Sequence, residues 1–177
     1  MKKQQVDHVL RAAGEITGEK SFIIVGSQAL HGKFPDTPDS IALSAEVDLM
    51  AKENVEHTEW LNAIGLDSQF HETFGYYADP VDETTTARLP KGWKGRLVNL
   101  PEGDTGGVRG LCLDPHDLAI GKYIARREKD LQFNRELARR GYVKKARLLE
   151  LVEATPVDGQ MRERIRRDIA RDFAGDR

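Results

Sequence analysis

The sequence predicts an α+β fold in which a small mixed β-sheet is flanked by helices and followed by a helical C-terminal region. Short apolar, β-branched runs alternate with helical patterns as far as residue 113. From Asp114 onward the pattern is helical. The 177 residues suffice for one compact domain or for a domain with a helical appendage. We therefore expect an α/β core over 1–113 and a helical region over 114–177 that packs on it.

The first elements are a helix and a buried strand. Residues 4–14 predict a short amphipathic helix, since its apolar residues fall on one side: Val6, Val9, Leu10 and Ala13. Residues 21–25 form a β-branched apolar run that is typical of a buried strand. This strand ends at Gly26, and Ser27 is well placed near the start of a following helix.

The middle of the chain continues the alternation. Polar and apolar residues alternate over 45–51, which predicts a half-buried strand. Residues 55–65 predict a helix that ends at Gly65. Residues 70–79 are then predicted to form a strand.

The last strands and the helical region follow. Strands are expected over 96–100 and 109–113, on either side of a turn-rich connector. Pro115 suits an early position of a helix, which is predicted to run over 116–140 and to stop at Gly141. Two further helices are expected over 144–153 and 158–173.

Composition excludes several classes of protein. No apolar run approaches the roughly 20 residues that span a bilayer, so no membrane partner is expected. The N-terminal residues lack the apolar segment of a secretory signal. The single cysteine, Cys112, excludes an intramolecular disulfide and a multi-cysteine zinc site, and is expected to be a buried, small apolar residue. A cytoplasmic protein is the simplest expectation.

Charge is distributed unevenly along the chain. Residues 121–177 carry 16 basic and 10 acidic side chains, whereas residues 1–120 carry 11 basic and 19 acidic ones. The acidic part, residues 1–120, suits binding of a divalent metal, and the basic part, residues 121–177, suits binding of phosphate or nucleic acid. The alternative is that these charged side chains only form the water-exposed faces of helices and bind no partner.

Two short motifs carry possible chemistry. Gly26-Ser27 lies between a strand and a helix, where glycine lets a phosphate approach free backbone N–H groups. Glu46 and Asp48 share one face of a strand, about 6.5–7 Å apart, so they can converge on divalent cations. Each motif also has an ordinary explanation: a common strand-to-helix turn, or an exposed charged strand face. Their order along the chain suits binding of a nucleoside triphosphate at the first motif and of its metal ions at the second.

These motifs resemble a known superfamily. The segments IIVGSQALHG and SAEVDLMA resemble the signature of nucleotidyltransferases related to polymerase beta. The segments LPKGWKGRLVNL and GLCLDPHDLAIGKYIARREKD resemble a prokaryotic group of small nucleotidyltransferase-like proteins of unknown function, which is similar to AbiEii-type toxins of toxin–antitoxin systems. The resemblance covers about 21–143.

The resemblance implies roles for individual residues. Gly26 and Ser27 would hold the nucleotide phosphates. Glu46 and Asp48 would be the paired acids that bind Mg²⁺ or Mn²⁺. A third carboxylate would come from a later strand, with Asp79 and Asp82 as the candidates.

The resemblance also implies roles for residues of the predicted helix over 116–140. Lys122 would contact the triphosphate, and Asp130 is a further catalytic acid. On a continuous helix Lys122, Arg126 and Asp130 lie in a narrow stripe about 12 Å long. Lys122 would meet the phosphates, and Arg126 or Asp130 would lie further along the helix, near the acceptor. Arg126 is also a candidate nucleotide-binding residue. At that spacing Asp130 meets Lys122 only if the side chains lean together. The alternative is a charged surface stripe.

The implied activity is metal-dependent transfer of a nucleotide from a nucleoside triphosphate to a hydroxyl. The acceptor would be a tRNA or another RNA 3′ end, a protein side chain or a small molecule, and a cognate antitoxin protein is a possible partner. The alternative is a module that kept the nucleotidyltransferase fold, with nucleotide binding or a regulatory role, but without turnover.

Overall fold

The structure, a computed structural model, describes residues 1–38, 40–41 and 43–174. Its internal contacts divide the chain into two compact units. The first unit combines Met1–Glu83 with Leu97–Asp114. The second combines Thr84–Arg96 with the chain from Pro115 onward.

A mixed five-stranded sheet forms the centre of the first unit. Its strands are β1 (Ser21–Ile24), β2 (Glu46–Ala51), β3 (Tyr77–Pro80), β4 (Val98–Asn99) and β5 (Arg109–Cys112). They lie in the order β3-β2-β1-β5-β4. The β1–β5 and β2–β3 pairs are parallel, and the β1–β2 and β4–β5 pairs are antiparallel. The predicted small mixed sheet is confirmed.

Helices cover the sheet of the first unit. Helix α1 (Lys3–Thr17) ends at Gly18, whose backbone is left-handed. It buries the predicted apolar side completely: Val6, Val9, Leu10 and Ala13. Two segments predicted to be helical form 3₁₀ helices, over Ser27–Gly32 and Val55–Ile64.

The predicted strand over 70–79 is wrong in its first half. Residues Gln69–Phe74 form helix α2, and only Tyr77–Pro80 belong to the sheet. The Ser68 side chain caps α2 by accepting a hydrogen bond from the His71 N–H. A left-handed Gly75 ends it. Local capping at both ends therefore outweighs the strand propensity of the aromatic residues.

The second unit is helical. Its main helices are α4 (Pro115–Ala125), α5 (Glu128–Arg139), α6 (Lys145–Glu153) and α7 (Gly159–Asp172). Helix α4 packs against the three helices that follow it in the chain. A one-turn helix, α3 (Glu83–Thr86), which starts at the last residue of the first unit's first segment, and a 3₁₀ helix over Trp93–Arg96 precede them. The predicted helical C-terminal region is confirmed.

The single helix predicted over 116–140 is wrong, because the chain breaks between α4 and α5. Arg126 adopts a left-handed backbone with φ 56°, which costs a non-glycine residue about 1 kcal/mol or more. Its guanidinium Nε lies 2.9 Å from the buried Asp168 carboxylate. The sequence between Lys122 and Arg140 contains neither glycine nor proline, so the break depends on contacts between helices.

Two predictions about composition can be compared with the structure. Cys112 is completely buried, and burial raises the pKa of its thiol to about 12. It is therefore the small apolar core residue that was expected. Within the described part of the chain, every helix falls short of the length and apolar character needed to cross a bilayer.

Candidate active site

The turn after β1 has a conformation that only glycine adopts readily. Gly26 has φ 58° and ψ −169°, a region that is essentially restricted to glycine. A Cβ at this position would also overlap the carboxylate of Asp48. The Val25 N–H donates to the Asp48 carbonyl oxygen at 3.1 Å. The glycine turn and the Asp48 side chain are therefore in direct contact.

Side-chain hydrogen bonds connect the same turn to the start of β2. The hydroxyl oxygens of Ser27 and Ser44 lie 3.1 Å apart. Ser44 Oγ donates to the Glu46 carbonyl oxygen at 3.0 Å and accepts from the Gln28 amide at 3.0 Å. Because the helix after Ser27 is a six-residue 3₁₀ helix, few peptide dipoles align there. Any anion binding must therefore depend mainly on the N–H and hydroxyl groups of the turn itself.

The two acids of β2 project from the same face of the sheet. Val47 and Leu49 are fully buried on the opposite face, whereas Glu46 and Asp48 are partly exposed. This alternation is the one that the sequence predicts for a half-buried strand.

A third carboxylate lies directly across from Asp48. In the parallel register between β2 and β3, Asp48 pairs with Asp79. Paired residues on adjacent strands point to the same face and lie about 5 Å apart. Asp82, the other candidate, lies beyond the end of β3 and outside this register. Of the two candidates, Asp79 is the one that the sheet brings beside Asp48.

Tyr77 is a neighbour of these acids that the sequence analysis missed. It pairs with Glu46 in the same register, so the two side chains lie on the same face of the sheet. Burial, together with the charges of Glu46, Asp79 and Asp48, raises the pKa of the Tyr77 phenol. The signal was available, because Tyr77 and Asp79 are two residues apart and therefore share a strand face.

The electrostatics of Asp79 agree with this arrangement. Burial and, next, the negative charge of Glu46 raise the pKa of the Asp79 carboxyl. The two acids are therefore close enough for their charges to repel. Such repulsion disappears when a cation lies between the acids.

The donor chemistry fits a hard divalent cation. Mg²⁺ prefers oxygen ligands and is usually held by one or two carboxylates together with water and substrate phosphates. The described residues contain no group of three or more His, Cys, Asp or Glu side chains arranged as a metal cage. The paired acids of β2 therefore fit a cation shared with a substrate, and they do not form a complete site by themselves.

Three predicted site residues belong to the second unit. The Lys122 ammonium lies 3.1 Å from the Asp130 carboxylate and 5.4 Å from the centre of the Phe133 ring. The fully buried Asp130 also accepts hydrogen bonds from the backbone N–H and the guanidinium of Arg127. The expected stripe on one continuous helix is wrong, since Arg126 lies at the break and pairs with Asp168. The roles of Lys122, Arg126 and Asp130 in nucleotide binding or catalysis stay predictions.

Many basic side chains of the second unit have acidic partners within it. Arg166, for example, contacts both Glu153 and Glu163. The other arginines with an acidic partner are Arg96, Arg126, Arg127, Arg135, Arg139, Arg140, Arg147 and Arg171. Some of these pairs join different helices, such as Arg166 with Glu153, and others lie within one helix, such as Arg139 with Glu136. Part of the positive charge of this region is thus neutralised locally.

Comparison with known proteins identifies the family. The chain matches no curated protein and no solved structure. Residues 4–171, nearly the whole chain, match the sequence profile of a family described as nucleotidyltransferase of unknown function (DUF6036). The glycine turn beside an acid pair on a mixed sheet agrees with that description. The chain therefore belongs to this family of nucleotidyltransferases of unknown function.

Proposed function

We propose that the protein transfers a nucleotide from a nucleoside triphosphate to an acceptor hydroxyl, and that Mg²⁺ or Mn²⁺ is required. The observation that carries this proposal is the contact between Gly26 and Asp48. It joins the turn suited to phosphates with the carboxylates suited to a cation. A triphosphate and its metal need these two features side by side.

The glycine turn would bind the phosphates. The lack of a side chain at Gly26 lets an anion approach the backbone closely. The Ser27 hydroxyl, whose oxygen lies 3.1 Å from that of Ser44, would add a donor by turning its hydrogen from Ser44 to the phosphate. These groups would hold the triphosphate in line with the attacking hydroxyl, and positioning of this kind accounts for much of the catalysis of phosphoryl transfer.

The acids of β2 would hold the divalent cation, with Asp79 as the third carboxylate. A bound cation would neutralise negative charge on the triphosphate and on the leaving pyrophosphate. The three side chains are presented on one face by the β2–β3 register. The repulsion between Glu46 and Asp79 would be relieved by a bound cation.

The acceptor that we favour is the 3′ end of an RNA, such as a tRNA. The excess of basic residues over 121–177 supports this choice. A protein hydroxyl is the alternative acceptor. We further propose that the protein is the toxin of a toxin–antitoxin pair with a cognate antitoxin protein. This proposal rests on the resemblance of the DPHDL and REKD segments to a group of small nucleotidyltransferase-like proteins that is itself similar to AbiEii-type toxins.

The first experiment separates an active enzyme from a binding module. Labelled triphosphates are mixed with the protein, with and without Mg²⁺, and transfer to total RNA or to protein is then measured. We expect Mg²⁺-dependent binding and transfer, and a loss of transfer of at least about 100-fold in Asp48→Asn without loss of folding. Unchanged transfer in Asp48→Asn would contradict the metal mechanism. Binding without transfer to either acceptor would favour the inactive module.

A second experiment addresses the acceptor and Lys122. Binding of RNA should weaken as the salt concentration rises, since phosphate contacts release counterions. Lys122→Ala should weaken binding of a triphosphate more than binding of the corresponding nucleoside, because the lysine would act through phosphate charge. Salt-independent binding of RNA would contradict the basic surface.

A further inference from the structure

We propose that Tyr77 is a positioning residue that orients the Glu46 carboxylate for the divalent cation. The inference rests on the proposed function, because it assumes that Glu46 binds metal. It adds a residue that neither the sequence motifs nor the family description names. A phenol that donates to a ligating carboxylate fixes which oxygen is turned towards the cation.

The register of the sheet places the two side chains together. Glu46 and Tyr77 are directly opposite each other on parallel strands. The Tyr77 N–H donates to the Ala45 carbonyl oxygen at 3.0 Å, which fixes the register at this point. Both side chains lie on the same face of the sheet, and, besides burial, the Glu46 carboxylate is one of the groups that raise the pKa of the Tyr77 phenol. A carboxylate on a long, flexible side chain would otherwise have to be ordered when the metal binds, at a cost in side-chain entropy.

The ring of Tyr77 is itself held from the other side. The His71 ring packs edge-on against it, with ring centroids 4.6 Å apart. The His71 Nδ1 accepts a hydrogen bond from the Asp67 N–H at 3.1 Å, so the orientation of the imidazole is fixed. Asp67 has a left-handed backbone with φ 59°, which is uncommon for a residue other than glycine. The turn at Asp67 thus holds the imidazole that packs against Tyr77, and Tyr77 lies opposite Glu46.

The neighbouring Tyr76 provides a matched control. Its hydroxyl lies 2.9 Å from the Nδ1 of His8 instead of contacting an acid of β2. Tyr76→Phe and Tyr77→Phe therefore remove the same atom from adjacent residues. Only the second removes a phenol from the residue that lies opposite Glu46.

The experiment measures Mn²⁺ binding to the full chain, from the electron paramagnetic resonance signal of free Mn²⁺. We expect Tyr77→Phe to weaken Mn²⁺ binding by about 10-fold or more, the range found when partners of metal ligands are removed. Tyr76→Phe should bind like the wild type. In a Glu46→Gln background, Tyr77→Phe should cause little further loss, because the two side chains act through the same ligand.

The outcomes separate this inference from the function on which it rests. If Glu46→Gln weakens Mn²⁺ binding but Tyr77→Phe stays within about twofold of the wild type, well short of the expected loss, the role of Tyr77 is overturned and the metal site stands. If Glu46→Gln has no effect, the metal site is wrong and the inference fails with it. If Tyr77→Phe melts at a clearly lower temperature than the wild type, the variant His71→Leu replaces it in the test. This variant keeps the Tyr77 phenol and removes the imidazole that packs against its ring. Unchanged Mn²⁺ binding in His71→Leu would then overturn the inference.

Discussion

Gly26 lies against Asp48 so closely that a Cβ at position 26 would be 2.7 Å from Cγ of the aspartate. The turn after β1 and the acid on β2 are therefore a single structural feature. A change at either residue must alter the other, which makes the pair a direct test of the candidate site.

Gly26→Ala should both destabilise the protein and disrupt the site. The backbone conformation of Gly26 costs other residues about 1–3 kcal/mol, and the added methyl group would displace the Asp48 carboxylate. We expect a loss of about 2–4 kcal/mol in the free energy of unfolding, measured with urea, as strain and overlap combine. Gly18→Ala is the control, because Gly18 has φ 74° but no atom within 4 Å of its Cβ position. Equal losses in the two variants would contradict the proposed overlap.

Asp79→Asn should raise stability slightly while lowering activity. Burial and Glu46 raise the pKa of Asp79 above its value in the unfolded chain, so its ionisation destabilises the folded state as pH rises through the folded-state pKa. The gain at pH 7 should be below about 1 kcal/mol, since Asp79 is exposed enough for solvent to screen its charge. Without metal, thermal unfolding should shift upwards, and transfer should fall at least about 100-fold. Asp82→Asn should leave transfer unchanged; a greater loss of transfer there would reverse the assignment.

Acid should destabilise the protein through two histidines. Burial lowers the pKa of His31, and burial together with Arg11 lowers that of His8. The unfolded chain then binds more protons below about pH 6.5, so the free energy of unfolding should decrease from pH 7 to pH 5. Urea unfolding at several pH values measures this dependence. The double variant with His8→Gln and His31→Gln should lose less stability over that range; a dependence equal to that of the wild type would contradict the assignment.

Asp130→Asn should lower stability markedly. The fully buried Asp130 carboxylate holds Lys122 and Arg127 and caps the start of α5. Removing its charge weakens these charged hydrogen bonds, so a loss of about 1–3 kcal/mol is expected in urea unfolding. Glu136→Gln is the control: its carboxylate contacts Arg139 and Arg140 at the surface, where such pairs contribute below about 1 kcal/mol. A variant Asp130→Asn as stable as the wild type would show that the buried contacts are not structural.

Local sequence signals predicted much of the fold. Three elements follow from the pattern of their own residues alone. They are α1 with its apolar side, β1 with its β-branched run, and β2 with its alternation of polar and apolar residues. Local signals failed where two of them competed, as at 70–79, where the Ser68 cap and the left-handed Gly75 produce a helix among aromatic residues. They also failed at Arg126, where the backbone is held by the distant Asp168.

By itself, the sequence determined which face of β2 carries Glu46 and Asp48, because side chains on a strand alternate with a period of two. It also determined the turn at Gly26, since only glycine suits that backbone. Only the tertiary structure decided that Asp79, and not Asp82, lies beside Asp48, and that Tyr77 lies opposite Glu46. Those relationships depend on the register between β2 and β3. Register is set by pairing and packing between strands that are distant in the chain, and a shift of one residue would turn every side chain of β3 to the other face.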